Sequence, residues 1–434
     1  MSVDELVRTL ERGGLDERLD TLYGSSRVKW ARARFRELTE RFSRSFGSGT
    51  ENGECAFFSS PGRTELAGNH VDHNRGRVLA GSVQLDTIAC VRTRSDSLVR
   101  VASEGYDLLF EADLRELNPV ASEQGKTTAL IRGVAAAFVN KGLFAGGFDA
   151  HLTSNVLPGS GLSSSASVEV LFGALFNELW NDGALGPVEI SKAGRFAENN
   201  YFGKPCGLMD QIGCAHGGVV AIDFERAENP RVAPVPCTFE EAGLRLLVVD
   251  TGGSHADLTD DYASIPAEME RIAHHFGGEQ LRDVPEEDVM SAVGELRSRY
   301  GDRAVLRSLH FYAEVRRAGH QQDALNAGAM EHYLELTNES ADSSWEVLQN
   351  CYSTSLPAEQ GVPLALTLTR GYLSSRGIGR GQAACRVHGG GFAGTIQAYI
   401  PLSEEKRYRA YMENYFGTGC VTPLRIRSAG VTRL

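Results

Sequence analysis

The 434-residue chain has no run of about 18 consecutive apolar residues, so no membrane span is expected. It also lacks a basic surplus. Lysine and arginine total 44 against 56 aspartates and glutamates, a formal charge of −12. Without excess cations to displace counterions, binding to a nucleic-acid backbone is not expected. One small anionic ligand remains possible, because a single site needs only local positive charge. The eight cysteines, Cys55, Cys90, Cys206, Cys214, Cys237, Cys351, Cys385 and Cys420, include no Cys-x-x-Cys pair. Structural-zinc spacing is therefore absent, and no disulfide framework is expected in so long a chain. The segment MSVDELVRTLERGGLDERLD has neither an apolar core nor a small-residue cleavage site and does not read as a secretory signal. A reduced, cytoplasmic protein is the expectation. Internal repeats and low-complexity segments are missing too.

What is present is ordinary for a soluble globular chain: 42 % apolar and 23 % charged residues. The length suits two or three domains. Residues 3–45 read as helical with a break at Gly13-Gly14, and GSGTENGE, 47–54, as a loop. CAFFSS reads as a strand stopped by Pro61-Gly62, and 77–94 as a strand pair. Helices are expected over 127–142, 167–180, 187–202 and much of 263–348, with strands near 148–156, 217–224 and 244–251. CRVHGGGFAGTIQAYI, 385–400, reads as strand, glycine turn, strand. Strands and helices do not alternate strictly, so the class is α+β. The stretch AENPRVAPVP, within 225–243, looks like a linker between two halves.

Two stretches carry the chemistry. PGRTELAGNHVDHNRG, 61–76, sets Arg63, Glu65, Asn69, His70, Asp72, His73 and Asn74 between glycines, with little to bury. LPGSGLSSSAS, from residue 157, lies between a strand and a helix. Gly159 and Gly161 leave room for a ligand to approach the backbone. Three serines then meet a helix N-terminus, whose free N–H groups and dipole favour an anion such as a di- or triphosphate. No Gly-Lys-Ser/Thr follows, so this is not a Walker A loop. A serine-capped helix after a flexible turn is the plainer alternative.

LPGSGLSSSASVE, 157–169, resembles the P-x-G-x-G-L-x-S-S-A-S phosphate loop of the GHMP kinases. Within that superfamily the chain is most similar to galactokinases. Residues 61–76 resemble the pattern G-R-V-N-L-I-G-E-H-x-D-Y-N. AENNYFGKPCGLMDQ resembles the segment A-E-x-x-F-x-G-x-x-C-G-x-M-D-Q, and CRVHGGGFAGTIQAYI resembles the C-terminal glycine motif. The matches run in order from about residue 55 to 400.

The resemblance implies a two-domain α+β GHMP kinase fold. A ribosomal-protein-S5-like domain over 1–225, with 1–50 as a helical extension, precedes a ferredoxin-like domain over 226–434, and the cleft between them is active. It implies ATP-dependent phosphorylation of a sugar at the anomeric hydroxyl, with galactose as the acceptor. Asp210 is then the catalytic carboxylate and Arg63 its partner, a guanidinium that keeps its own proton. Gly159, Ser160, Gly161, Leu162, Ser163, Ser164 and Ser165 fall on the ATP-binding loop. Mg²⁺, which keeps few protein ligands beside phosphate and water oxygens, falls to Ser165 and Glu198. Arg63, Asn69, His70, Asp72, Gly207, Asp210 and Tyr262 fall on the sugar site. The partners are small molecules, sugar and ATP, and the oligomeric state stays open with a monomer as default.

Two positions depart from the galactokinase pattern. Asn69 stands where its glutamate holds the 6-hydroxyl, and His73 stands where it has tyrosine. A glutamate about 4 Å from a sugar carboxylate costs roughly 4 kcal/mol at an effective dielectric of about 20. Asparagine removes that repulsion, which admits galacturonate as an alternative acceptor. A catalytically silent sugar sensor is an alternative of another class, although Arg63, Asp210, Ser165 and Glu198 are all retained.

Overall fold

Two long strands organise the first part of the chain. In the computed structural model, which describes residues 1–47, 53–156, 159, 161–253 and 258–434, β1 (Cys55–Ala67) pairs antiparallel with β2 (Arg77–Thr93). Both faces of β1 are buried, which explains why its first part, 55–62, is apolar or small without alternation. Pro61-Gly62 does not stop this strand. The register shifts between Pro61 and Arg63, so the proline falls at an irregularity where a missing N–H breaks no regular ladder. Nor is 77–94 a strand pair: it is one 17-residue strand. Of the expected loop 47–54, residues 48–52 lie outside the described residues.

β3 (Leu98–Ser103), β4 (Phe110–Asp113), β5 (Phe148–Ser154), β6 (Val219–Asp223), β7 (Arg231–Val235) and the short strand Thr432–Arg433 complete an eight-stranded sheet. Its order is Thr432–Arg433, β1, β2, β5, β3, β4, with β6 on β2 and β7 on β6. β3 and β5 pair in parallel. The second sheet, in the order β11 (Val421–Leu424), β8 (Leu244–Asp250), β10 (Thr395–Pro401), β9 (Ala384–His388), is antiparallel. The expected linker is thus partly strand, and the expected boundary at 225/226 is not where the first sheet ends. β7 extends that sheet, and the chain's last residues return to it.

Strand alternation gives the first sheet two cores. Cys55, Phe57, Ile88 and Cys90 face a helical layer of α1 (Val3–Glu11), α2 (Asp16–Tyr23) and α3 (Val28–Phe46). Ala31, Phe35, Leu38 and Phe42 recur at helical spacing on α3 and fill that core. Ala56, Phe58, Ala89 and Val91 face α4 (Thr127–Asn140) and α5 (Ser164–Trp180). The expected helix 187–202 is α6 (Pro187–Ala197) followed by a π-helical turn, Glu198–Phe202, and then α7 (Met209–His216). A further core, with Val78, Ile212, Ile222, Met269 and Phe311, joins β2, β6 and α7 to α8 (Thr259–His275) and the helix Asp302–Asn326. Among the described residues no helix is long and apolar enough to cross a membrane. All eight cysteines are free.

Candidate active site

Arg63 joins three elements. Just past the irregularity of β1, its backbone N–H donates to Leu162 O at 3.0 Å. Its Nε and Nη2 donate to Asp210 Oδ1 at 2.9 and 2.6 Å, and its Nη1 donates to Gly161 O. A Cβ on Gly62 would stand 2.8 Å from Leu162 O, so only glycine lets the strand meet the loop this closely. Asp210 lies in the first turn of α7, where the helix dipole favours its charge. Its Oδ2 accepts from Ser163 Oγ at 2.6 Å. The carboxylate is pinned on both oxygens yet keeps 38 % of its side-chain surface open. Ser163 thus ties the loop that holds Gly159, Gly161, Ser164 and Ser165 to Asp210, with Ser165 exposed and Leu162 buried. Ser160 lies outside the described residues.

The second half of the stretch 61–76 lies near Asp210 as well. Asp72 begins a 3₁₀ turn, and a Cβ on Gly207 would stand 2.6 Å from its Oδ2. Burial pushes the Asp72 carboxyl above its usual range, and the Asp210 charge adds to this. His70 takes a left-handed backbone, φ +58°, and its Nε2 donates to Gly390 O at 2.7 Å. Burial, then His73, pushes its pKa down to about 3, so the ring is neutral near pH 7. The edge of Tyr262 packs on His70 with ring centroids 5.1 Å apart. Tyr262 is half exposed, and burial at its phenol end, then the carboxylates of Asp210 and Asp72, push the phenol up and keep it protonated.

Asn69 requires a correction. It is fully buried, and its Nδ2 donates to Gly389 O at 2.9 Å and Glu65 Oε1 at 3.2 Å. Its Oδ1 accepts from Asn350 Nδ2 at 2.8 Å, and its backbone carbonyl accepts from His310 Nε2 at 2.9 Å. The protein saturates the amide, leaving no donor for a sugar hydroxyl. Moreover, the asparagine of the pattern G-R-V-N-L-I-G-E falls on Glu65 and its glutamate on Asn69. The chain has exchanged amide and carboxylate between touching positions. The negative charge remains, buried and ion-paired with Arg386. A substrate carboxylate at C6 therefore gains nothing from Asn69.

Of the proposed metal residues, Glu198 is tied to the neighbour of Asp210, Gln211, and Ser165 lies two residues after Ser163, which binds Asp210. Ser165 opens α5, and Glu198, 3 % exposed, opens the π-helical turn. Gln211 Nε2 donates to Glu198 Oε2 at 3.2 Å and to Glu169 Oε2 at 2.9 Å, and Lys204 Nζ lies 3.5 Å from Glu198 Oε1. Among the described residues no three His, Cys, Asp or Glu side chains form a metal cage. A hydroxyl and one carboxylate fit Mg²⁺, whose other ligands come from phosphate and water. Among the described residues, Oε1 of Glu169 and Oε1 of Gln211 are buried without a hydrogen-bond partner, and burial, then the Glu198 charge, pushes the Glu169 carboxyl well above its usual range.

Sequence reasoning missed Glu169, although it stands one helical turn after Ser165, and Gln211, although it follows Asp210. It also missed Asn350 and Arg386, whose parts depend on contacts made across hundreds of residues. Tyr106, Leu108 and Leu109 are exposed just after β3. Because β3 runs parallel to β5 with Ser103 opposite Leu152, they stand at the sheet end that leads into the phosphate loop.

Residues 129–218 match a family model described as the GHMP kinases N terminal domain, and 40–93 match one described as the galactokinase galactose-binding signature. The chain is 30 % identical over 382 residues to a galactokinase of Actinobacillus pleuropneumoniae serotype 5b, covering 87 % of this chain and 92 % of that protein. It is 29 % identical over 404 residues to a galactokinase of Streptomyces coelicolor, covering 91 % and 97 %. Its fold is similar to that of Lactococcus lactis galactokinase complexed with galactose, with TM-score 0.75 and 23 % identity over 92 % of this chain and 100 % of that one. Methanococcus jannaschii mevalonate kinase superposes with TM-score 0.60 at 14 % identity, over 86 % and 99 %. The architecture is that of the GHMP kinases.

Proposed function

Because the chain belongs to the galactokinase family, we propose that it transfers the γ-phosphoryl group of ATP to the anomeric hydroxyl of galactose, giving galactose 1-phosphate and ADP. The observation that carries this reading is the Arg63–Asp210 contact at 2.6 Å beside Gly161. The new bond joins O1 of the sugar to phosphorus, and the bond from phosphorus to the β-phosphate oxygen breaks. Asp210 orients the O1 hydroxyl and receives its proton. Arg63 stays charged throughout, holds the carboxylate and faces the charge that develops on the phosphoryl group. The rate gain comes from placing the two substrates and from fixed charges.

The triphosphate lies on Gly159, Gly161, Ser164 and Ser165 at the N-terminus of α5. Ser165 and Glu198 would hold Mg²⁺, which would supply positive charge against the phosphates of ATP. The adenine packs on Tyr106, Leu108 and Leu109. Asp72, His70, Gly207 and Tyr262 form the sugar floor, with Asp72 reading ring hydroxyls and Tyr262 covering the sugar. The halves close on each other along the glycine turn Gly389–Gly391.

Release of ADP on addition of galactose tests the reading. Binding of ATP and galactose without turnover would sink it and favour a sensor.

A further inference from the structure

One neutral amide lies where three functional elements meet. Gln211, next to Asp210 on α7, uses both hydrogens of its NH₂ group on two buried carboxylates, Glu169 at 2.9 Å and Glu198 at 3.2 Å. Glu169 sits on α5 four residues after Ser165 and is fully buried. Glu198 opens a π-helical turn, a distortion found mostly at functional places. At Gly194 on α6 an added Cβ would come within 3.2 Å of Glu169 Cβ and 3.4 Å of Gln211 Cγ, so the packing around the pair is tight.

Stability does not explain Glu169. Among the described residues its Oε1 is buried without a hydrogen-bond partner, as is Oε1 of Gln211. The cation beside this carboxylate pair, Lys204, reaches only Glu198, from a side chain 65 % exposed. A buried carboxylate with one neutral donor costs folding free energy that a neutral residue of the same shape would not.

We propose that Glu169 and Gln211 are a positioning pair. Glu169 anchors the Gln211 amide, Gln211 holds the Glu198 carboxylate toward the metal, and the same joint fixes Asp210 relative to Ser165. This rests on the reading of Ser165 and Glu198 as metal residues. Neither Glu169 nor Gln211 touches substrate, so each acts through the groups it orients.

The test measures binding of Mn²⁺ with ADP by calorimetry, without sugar, on wild type, Glu169→Gln, Gln211→Met and Glu198→Gln. Melting of the nucleotide-free proteins and galactose affinity are measured alongside. Glu169→Gln and Gln211→Met are expected to weaken Mn²⁺·ADP binding about tenfold or more, as loss of a ligand's outer hydrogen bond does. Galactose affinity should hold, and Glu169→Gln should melt no lower than wild type. Mn²⁺·ADP affinity unchanged in both variants while Glu198→Gln weakens it overturns the positioning role alone. Unchanged affinity in Glu198→Gln overturns the metal reading and this inference with it. A Glu169→Gln protein that melts lower but binds Mn²⁺·ADP normally makes Glu169 merely structural and also overturns the inference.

Discussion

Ser163 Oγ donates to Asp210 Oδ2 at 2.6 Å, on the oxygen that Arg63 leaves free. Ser163 occupies the N-cap position of α5, where a serine ordinarily closes the helix with its hydroxyl. Here its backbone is left-handed, φ +56°, and it makes no side-chain cap bond. The hydroxyl is turned outward to the carboxylate instead. The glycine–serine loop thereby reaches Asp210 through Ser163 and reaches Arg63 through the carbonyl of Gly161, so the groups proposed to meet the two substrates form one hydrogen-bonded unit.

Removing the charge at 210 separates binding from turnover. Asp210→Asn keeps the shape and loses the proton acceptor, so kcat should fall about 10²–10⁴-fold while galactose affinity measured by calorimetry persists. Ser163→Ala removes one hydrogen bond to an ion and should lower kcat roughly tenfold. Wild-type turnover in Asp210→Asn would remove the residue from the mechanism.

Gly390 tests the sugar lid. A Cβ there would lie 1.6 Å from Tyr262 Cε2, and the Gly390 backbone is not left-handed, so the collision with the ring is the main effect. Gly390→Ala should swing Tyr262 off His70 and raise the KM for galactose roughly fivefold, the scale of one lost ring contact. The KM for ATP should stay put. Tyr262→Ala should give the same shift, and the double variant should be no worse than either; additive losses would separate the two residues.

Much of this was legible in the sequence because it is local. Helix-period residues announced α3 and α5, the glycine–serine loop pointed to the anion site proposed above, and the Met-Asp-Gln segment carried Asp210. What stayed hidden depends on partners far along the chain. Nothing near Asn69 reveals that Asn350 and Gly389 will saturate its amide, 281 and 320 residues away. Strand lengths misled for a related reason: Pro61-Gly62 reads as a stop, but a shift in register lets a strand pass through. Burial on both sides likewise removed the alternation that would have identified β1 as one long strand.

Acid should unfold the protein partly through its histidines. Burial and then His310 push His73 down to about 4, and burial and then His73 push His70 down to about 3. An unfolded histidine titrates near 6.5. Above that pH both states are neutral, and the stabilising contribution is fully present. As pH falls, the unfolded chain takes a proton that the folded one refuses, so stability drains between about 6.5 and 4 for His73, and on toward 3 for His70. His73→Gln should flatten stability against pH in that window by roughly one proton, about 1.4 kcal/mol per pH unit. Urea unfolding at a series of pH values reads this directly; equal slopes would place His73 in contact with water.

The exchange at 65 and 69 yields the sharpest outcome. Were Asn69 a sugar ligand, Asn69→Glu would simply shift preference among acceptors. In the structure it would instead put a second carboxylate beside Glu65, inside a pocket holding Arg386 and another acid, Glu314. Two charges about 4 Å apart repel by roughly 4 kcal/mol at an effective dielectric of about 20. Asn69→Glu alone should therefore lower Tm and depress kcat/KM for every acceptor alike. Adding Glu65→Asn restores one acid and one amide in the order of the galactokinase pattern. The double variant should recover most of the lost stability, a coupling that independent sites do not show. Additive losses would mean that the two side chains do not act as a pair. A changed ratio of galacturonate to galactose kcat/KM in Asn69→Glu, with Tm unchanged, would return Asn69 to the sugar site.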